Sequence, residues 1–244
     1  LNRAPTLHKL SILAFYPVLT DSYAIKLHPT VCAGYNADFD GDAMGLFVPL
    51  STTAIEEVKT RMLPYQNLLK PSDGSPIVIP NKEMALGIYY LSTVDNSYLD
   101  KKDETLKAYC NEDEAVTAFH LDNINVIQPV LVEIKGSLIR TTVGRILVNQ
   151  LLPVELQFIN KDIKASDVKD LIVLATKIYA DNQKVGELID RLKEIGFWGA
   201  TISAGLSVSV FDCKILADKG AIIKESEKEI VKLEKNYEQG LLTV

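Results

Sequence analysis

Apolar residues are distributed differently along the two parts of this chain. From residue 1 to about residue 50 they form short runs broken by Pro5, Pro17, Pro29 and Gly34, which predicts irregular strands rather than long helices. Residues 10–19 fit a short helix or a strand equally well. Thr30-Val31-Cys32-Ala33 and the run from Met44 to Leu50 both read as strand-like, so the segment between them is expected to lie in a buried core. Beyond residue 50 the helical period takes over. Ser51 or Thr52 can cap a helix over 52–62, with Glu56 and Glu57 in its first turns and Pro64 just past its end.

Residues 71–80, rich in Pro, Gly and Asp, predict loop and turn, and 84–91 predicts an apolar helix. Residues 96–114 are polar and read as a surface loop leading into a short helix over 114–120. Residues 126–138 alternate like a strand and turn at Gly136. Three helices follow, over 143–152, 167–179 and 184–195. In the second, Val168, Leu171, Ile172, Leu174, Ala175 and Ile178 form a core-facing stripe. A Lys/Glu-rich helix over 218–239 carries Ile223, Ile230, Leu233 and Tyr237 on one face, and Gly240 is placed to end it. So narrow a stripe calls for a partner helix.

At 244 residues and 47% hydrophobic, the chain can bury one or two ordinary cores. It contains no apolar run long enough for a membrane span and no secretory leader, so no membrane partner is expected. Cys32, Cys110 and Cys213 are odd in number and far apart, arguing against a disulfide framework or a zinc knuckle and for the cytoplasm or a comparably reducing organelle of bacterial type. His8, His28 and His120 lack metal-ligand spacing and read as structural.

The chemistry concentrates in Asn36-Ala37-Asp38-Phe39-Asp40-Gly41-Asp42. Side chains two apart on an extended segment share a side, and Gly41 lets the backbone bend so that the third carboxylate closes on the first two. Three carboxylates so close repel one another, and a divalent cation relieves that repulsion. Oxygen ligands alone favour magnesium, manganese or calcium over zinc. A solvated acidic turn is the plain alternative, and a non-catalytic cation-binding or assembly module is another. An EF-hand fails on counting. With Asn36 first, the twelfth position is Phe47 where a bidentate Glu is needed; with Asp38 first, Ala43 takes the glycine position and Pro49 the twelfth.

The heptapeptide resembles the signature of the largest catalytic subunit of multisubunit RNA polymerases, most nearly the bacterial β′ type. Leu1-Asn2-Arg3-Ala4-Pro5-Thr6-Leu7-His8 and His28-Pro29 are similar to family segments before it. Pro71-Ser72-Asp73-Gly74-Ser75-Pro76-Ile77-Val78-Ile79-Pro80, Leu86-Gly87-Ile88-Tyr89-Tyr90, Thr141-Thr142-Val143-Gly144-Arg145 and Gly196-Phe197 resemble segments after it. The likeness thins between about residues 93 and 135. It implies an α+β fold: 1–62 as the latter part of a double-psi β-barrel carrying the metal loop, 63–200 as a mainly helical pore region, and 201–244 as the first helix of a funnel hairpin. The opening without Met, inside a motif, and the ending just past Thr243, in what reads as a hairpin turn, suggest an internal segment.

The resemblance further implies that Asp38, Asp40 and Asp42 hold a catalytic Mg²⁺, with a second ion arriving with the nucleotide. Arg3 and Asn36 would face the sugar hydroxyls of the incoming ribonucleoside triphosphate; read from the residues alone, Arg3 could equally pair with a carboxylate and Asn36 cap a turn. Implied partners are the β, α and ω subunits, a sigma factor, the DNA template and the RNA product. A net charge of −6 is unusual for a nucleic-acid enzyme, and other parts of the machine are expected to supply the cations. By itself such a segment is expected to be inert. An RNA-templated polymerase sharing only the aspartate loop fits less well, given the pore-like segments. Ala43, Phe47, Lys82, Ser209 and Phe211 depart from the family pattern, which bears on substrate tuning and regulation rather than reaction class.

Overall fold

The computed structural model describes residues 1–98, 102–203 and 209–241, and divides into two units, Leu1–Gly205 and Leu206–Val244. The first unit opens with α1 (Cys32–Tyr35) and α2 (Thr52–Arg61). Its centre is built from α3 (Glu83–Ser92), α5 (Val143–Leu151), α6 (Ala165–Ile178) and α7 (Asn182–Ile202). Beside them, β1 (Ala108–Tyr109), α4 (Glu112–His120), β2 (Pro129–Ile134) and β3 (Ser137–Thr142) form a small α/β layer. The sheet order is β1-β2-β3, β1 parallel to β2 and β2 antiparallel to β3. Mixed α and β architecture is therefore what the structure shows.

α3 is apolar nearly all round and is the hub, burying Met84, Ala85, Gly87, Ile88 and Leu91. α7 crosses it at glycines. A Cβ on Gly87 would stand 1.8 Å from the Gly196 carbonyl oxygen and 2.5 Å from the Ala200 nitrogen, so the two backbones touch directly. The Thr-Thr-Val-Gly-Arg segment has a parallel logic. Thr142 caps α5 by accepting from the Arg145 N–H (3.3 Å), and Gly144 lies against Leu91, whose carbonyl a Cβ there would meet at 2.0 Å. Buried Arg145 then donates to the Ser92 carbonyl (2.7 Å) and to Asp162 (2.8 Å), tying three segments together.

Several elements differ from the sequence expectation. The strand-like run at 30–33 is helical: Pro29 starts a short 3₁₀ turn, Pro29–Val31, that runs into α1, because a proline with fixed φ suits a helix start better than a ladder. Among the described residues before 50, strand pairing is confined to bridges from Asn2 to Ile12 and Gly45, since the prolines remove ladder donors. Leu46, Phe47, Val48 and Leu50 are exposed, not core. Within 96–111 there are short 3₁₀ turns at Asn96–Tyr98 and Asp103–Thr105 and the strand β1; α4 begins at Glu112, capped by Asn111, which accepts from the Glu114 N–H (2.8 Å). The alternating stretch is a hairpin, turned by Lys135 (φ 51°) and Gly136 (φ 78°).

α6 buries Val168, Leu171, Ile172 and Ala175, while Leu174 and Ile178 lie off that stripe and are exposed. α7 runs on through Gly196 and Gly199 to Ile202, because contact with α3 offsets the poor helix propensity of glycine. The second unit holds α8 (Lys219–Glu238), whose Ile223, Ile230, Leu233 and Tyr237 are exposed; Gly240, at φ +69°, follows its end. The turn expected at Thr243 lies outside the described residues.

The α3–α7 crossing gives a direct test. Gly87→Ala forces backbone against backbone and should destabilise the chain by about 3 kcal/mol or more, overpacking with no rotamer to relieve it. Gly220→Ala on α8, with nothing within 4 Å of its Cβ, should be neutral or slightly stabilising. Chemical denaturation of both variants checks the pair.

Candidate metal centre

The loop bearing the three aspartates is anchored at both ends. Tyr35 closes α1 at 1% exposure, and its hydroxyl accepts from the Leu13 N–H and donates to the Leu1 carbonyl, each at 3.1 Å. Burial pushes this phenol up to about 12. Asn36 then takes the left-handed conformation (φ 49°, ψ 43°), its N–H returning to Ala33, and redirects the chain outward. At the far end Gly45 exchanges two backbone hydrogen bonds with Asn2, at 2.8 and 2.9 Å. Both anchors fall on the same N-terminal strand-like segment.

Between them, Asp38, Asp40 and Asp42 offer carboxylate oxygens all within 4.8 Å of one another, and all three residues are exposed. Gly41, at φ +121°, makes the bend that folds Asp42 back, a conformation that side chains rarely adopt. Asp42 also accepts from the Asp38 N–H (3.2 Å). Arg3, delivered by the segment that pairs with Gly45, forks onto Asp42 through Nε (2.8 Å) and Nη2 (3.2 Å).

The charges are unevenly compensated. Arg3 holds the Asp42 carboxyl below its usual range, and Asp42 in turn raises the Arg3 guanidinium. Asp40 is pushed up, first by its hydrogen bond to Asp38 and then by the like charges of Asp38 and Asp42. A carboxyl that resists ionising because its neighbours are anionic is where a divalent cation gains most. The donor set is oxygen only, close-set and open to solvent, and it fits a hard ion such as Mg²⁺ that retains waters.

The structure thus brings the three aspartates and Arg3 together. Asn36 stands exposed at the entrance to the loop as the cap of α1. Each histidine has a partner within the chain: His8 Nδ1 accepts from the Leu10 N–H (3.2 Å), His120 lies against Phe119 with ring centres 5.4 Å apart, and His28 meets Asp190 at 3.0 Å. Among the departures, Phe47 and Phe211 are exposed, Lys82 precedes α3 at φ 50°, and Ser209 accepts from the Phe211 N–H (3.2 Å). Tyr35 and the Asn2–Gly45 pair were not legible in the sequence, because nothing local marks a contact across so many residues.

Two family models match in series: RNA polymerase Rpb1, domain 2, over residues 1–63, and RNA polymerase Rpb1, domain 3, over residues 67–213. The chain belongs to the RNA polymerase Rpb1 family. DNA-directed RNA polymerase subunit beta′ of Thermotoga neapolitana is 40% identical over all of this chain and 15% of its own length. The subunits named likewise in Aliarcobacter butzleri and Sulfurimonas denitrificans are each 42% identical over all of this chain and 16% of theirs. The chain therefore spans about one sixth of the length of these relatives. The first family model ends two residues past α2, and the second spans the helical hub and the small sheet.

In this Rpb1-family chain the Tyr35 hydroxyl secures the start of the aspartate loop, and its ionisation gives a signature. The unfolded phenol ionises near its ordinary value of 10 and the folded one near 12. Its stabilising contribution is therefore complete below pH 10 and is lost as pH rises through about 12. Tyr35→Phe should cost roughly 1 kcal/mol at pH 8, because the Leu13 N–H still reaches the Leu1 carbonyl (3.1 Å). Urea unfolding at pH 8 and pH 11 should show the gap between parent and variant narrowing at the higher pH.

Proposed function

We propose that this chain is the metal-bearing internal segment of a bacterial-type β′ subunit and contributes the catalytic centre for DNA-templated RNA synthesis. The observation that carries the reading is the convergence of Asp38, Asp40 and Asp42, within 4.8 Å, in a chain 40% identical to subunits named for that enzyme. We read 1–62 as the latter part of a double-psi β-barrel, 63–200 as the pore region and 201–244 as the first helix of a funnel hairpin. The machine would include the β, α and ω subunits and a sigma factor, act on DNA, RNA and ribonucleoside triphosphates in the cytoplasm, and draw on other subunits for the cations that a chain of net charge −6 lacks.

Asp38, Asp40 and Asp42 would hold one Mg²⁺. Bound there, and joined by a second ion carried with the nucleotide, it would lower the pKa of the RNA 3′-hydroxyl and stabilise charge on the phosphate under attack. The chain's own work is positioning. The anchored loop fixes three ligand oxygens in advance, so little reorganisation is needed when charge develops. Arg3 steadies Asp42 and offers its remaining guanidinium N–H groups toward a substrate beside the triad. Asn36, exposed at the loop entrance, can both donate to and accept from a ribose 2′-hydroxyl.

Two substitutions test the reading in an assembled polymerase. Asp40→Asn keeps the shape and removes a charge; nucleotide addition and its pyrophosphate-driven reversal should fall by roughly 10³-fold or more, with subunit assembly and promoter binding preserved. Near-normal RNA synthesis would sink the catalytic reading, and failure of assembly would mark Asp40 as structural. Asn36→Ala should lower discrimination between ribo- and deoxyribonucleotides by roughly tenfold, the worth of one hydrogen bond, and reduce maximal rate less. Equal losses with both substrates would exclude the sugar contact.

A further inference from the structure

Outside the aspartate loop, one charged cluster that links two distant parts of the first unit is centred on His28. Its ring is engaged at both nitrogens. Nδ1 meets the Thr30 hydroxyl at 2.7 Å, while Nε2 meets Asp190 Oδ1 at 3.0 Å and Lys193 Nζ at 3.3 Å. Thr30 is buried, and the Lys193 side chain is only 19% exposed, so neither partner moves away freely. His28 begins the turn Pro29–Val31 that passes straight into α1 and thence, through Asn36, into the metal loop. Asp190 and Lys193 belong to α7, the helix locked against α3 by glycine contacts. One imidazole therefore joins the start of the loop-bearing segment to the most rigid part of the core.

We propose that His28 is a proton-responsive positioning residue for the metal loop: neutral, it seats the loop-bearing segment on α7, and protonation loosens that seat. The inference rests on the catalytic reading of the loop. A neutral ring satisfies both sides, donating to one of Thr30 or Asp190 and accepting on its other nitrogen. A charged ring can still donate to Thr30 and Asp190, but it gives up hydration in this partly covered site and stands 3.3 Å from the Lys193 ammonium. The groups facing the ring are Asp190, Lys193 and Glu194 on α7; on its own segment, the Cys32 thiol lies 3.9 Å from the His28 carbonyl. Burial outweighs the Asp190 charge and lowers the basicity of the ring, so it is neutral at physiological pH. The seat is whole above the ordinary histidine value of 6.5 and weakens as pH falls below it.

The test uses an assembled polymerase containing the full subunit, with single-nucleotide addition measured from pH 8 to pH 5.5. In His28→Gln, the side-chain amide can donate to Asp190 yet never ionises. Its rate should match the parent within about twofold at pH 8, and the ratio of variant to parent should climb about threefold or more by pH 5.5. Asp190→Asn removes the charge that favours protonation, so its ratio should climb as well; it decides the matter if His28→Gln does not assemble. Ratios that stay flat across the range, with Asp40→Asn inactive in the same preparation, overturn the role of His28 and leave the catalytic reading standing. An active Asp40→Asn enzyme overturns the catalytic reading and this inference with it.

Discussion

Mutual repulsion among three carboxylates is the constraint around which the N-terminal part of this chain is arranged. Held within 4.8 Å of one another, Asp38, Asp40 and Asp42 would spread apart on a free loop. The chain prevents this by anchoring both ends of the loop to one segment, through the Tyr35 hydroxyl and the Asn2–Gly45 pair, and by bending at Gly41. Arg3 compensates one carboxylate of the three. What remains is a fixed concentration of negative charge with oxygen donors facing solvent, which is the condition for binding a hard cation without reorganising around it.

The helical hub answers a different requirement. α3 has almost no polar face, so it must be surrounded, and glycines at its crossings with α5 and α7 let those helices approach until backbones touch. Close contact fixes these helices against one another, and the aspartate loop is attached to them. His28 is one such attachment, reaching from the turn before α1 to Asp190 and Lys193. Arg145 plays an equivalent part elsewhere in the hub, where it joins the end of α3 to the segment before α6. In both cases a single charged or ionisable side chain spans elements far apart in sequence, and the surrounding apolar packing strengthens each hydrogen bond it makes.

Large apolar side chains also stand exposed on this chain. Leu46, Phe47, Val48 and Leu50 are exposed around the metal loop, and α8 carries a row of exposed apolar residues. No helix among the described residues is long and apolar enough to cross a membrane.

The sequence by itself determined the aspartate triad, its oxygen-only chemistry, most of the helices after residue 50 and the helix end at Gly240, and it narrowed the α2 cap to Ser51 or Thr52, of which the structure uses Ser51. These are local facts, written in spacing, periodicity and φ preference. Only the tertiary structure decided that residues 30–35 are helical rather than extended, that the apolar run after the triad faces outward, and that 129–142 is a hairpin with a parallel neighbour. It alone paired Arg3 with Asp42, Tyr35 with Leu1 and Leu13, and His28 with α7. The physical reason is the same in each case. A short apolar run carries no record of which face will be covered, and a polar side chain carries none of the distant partner that makes its burial affordable.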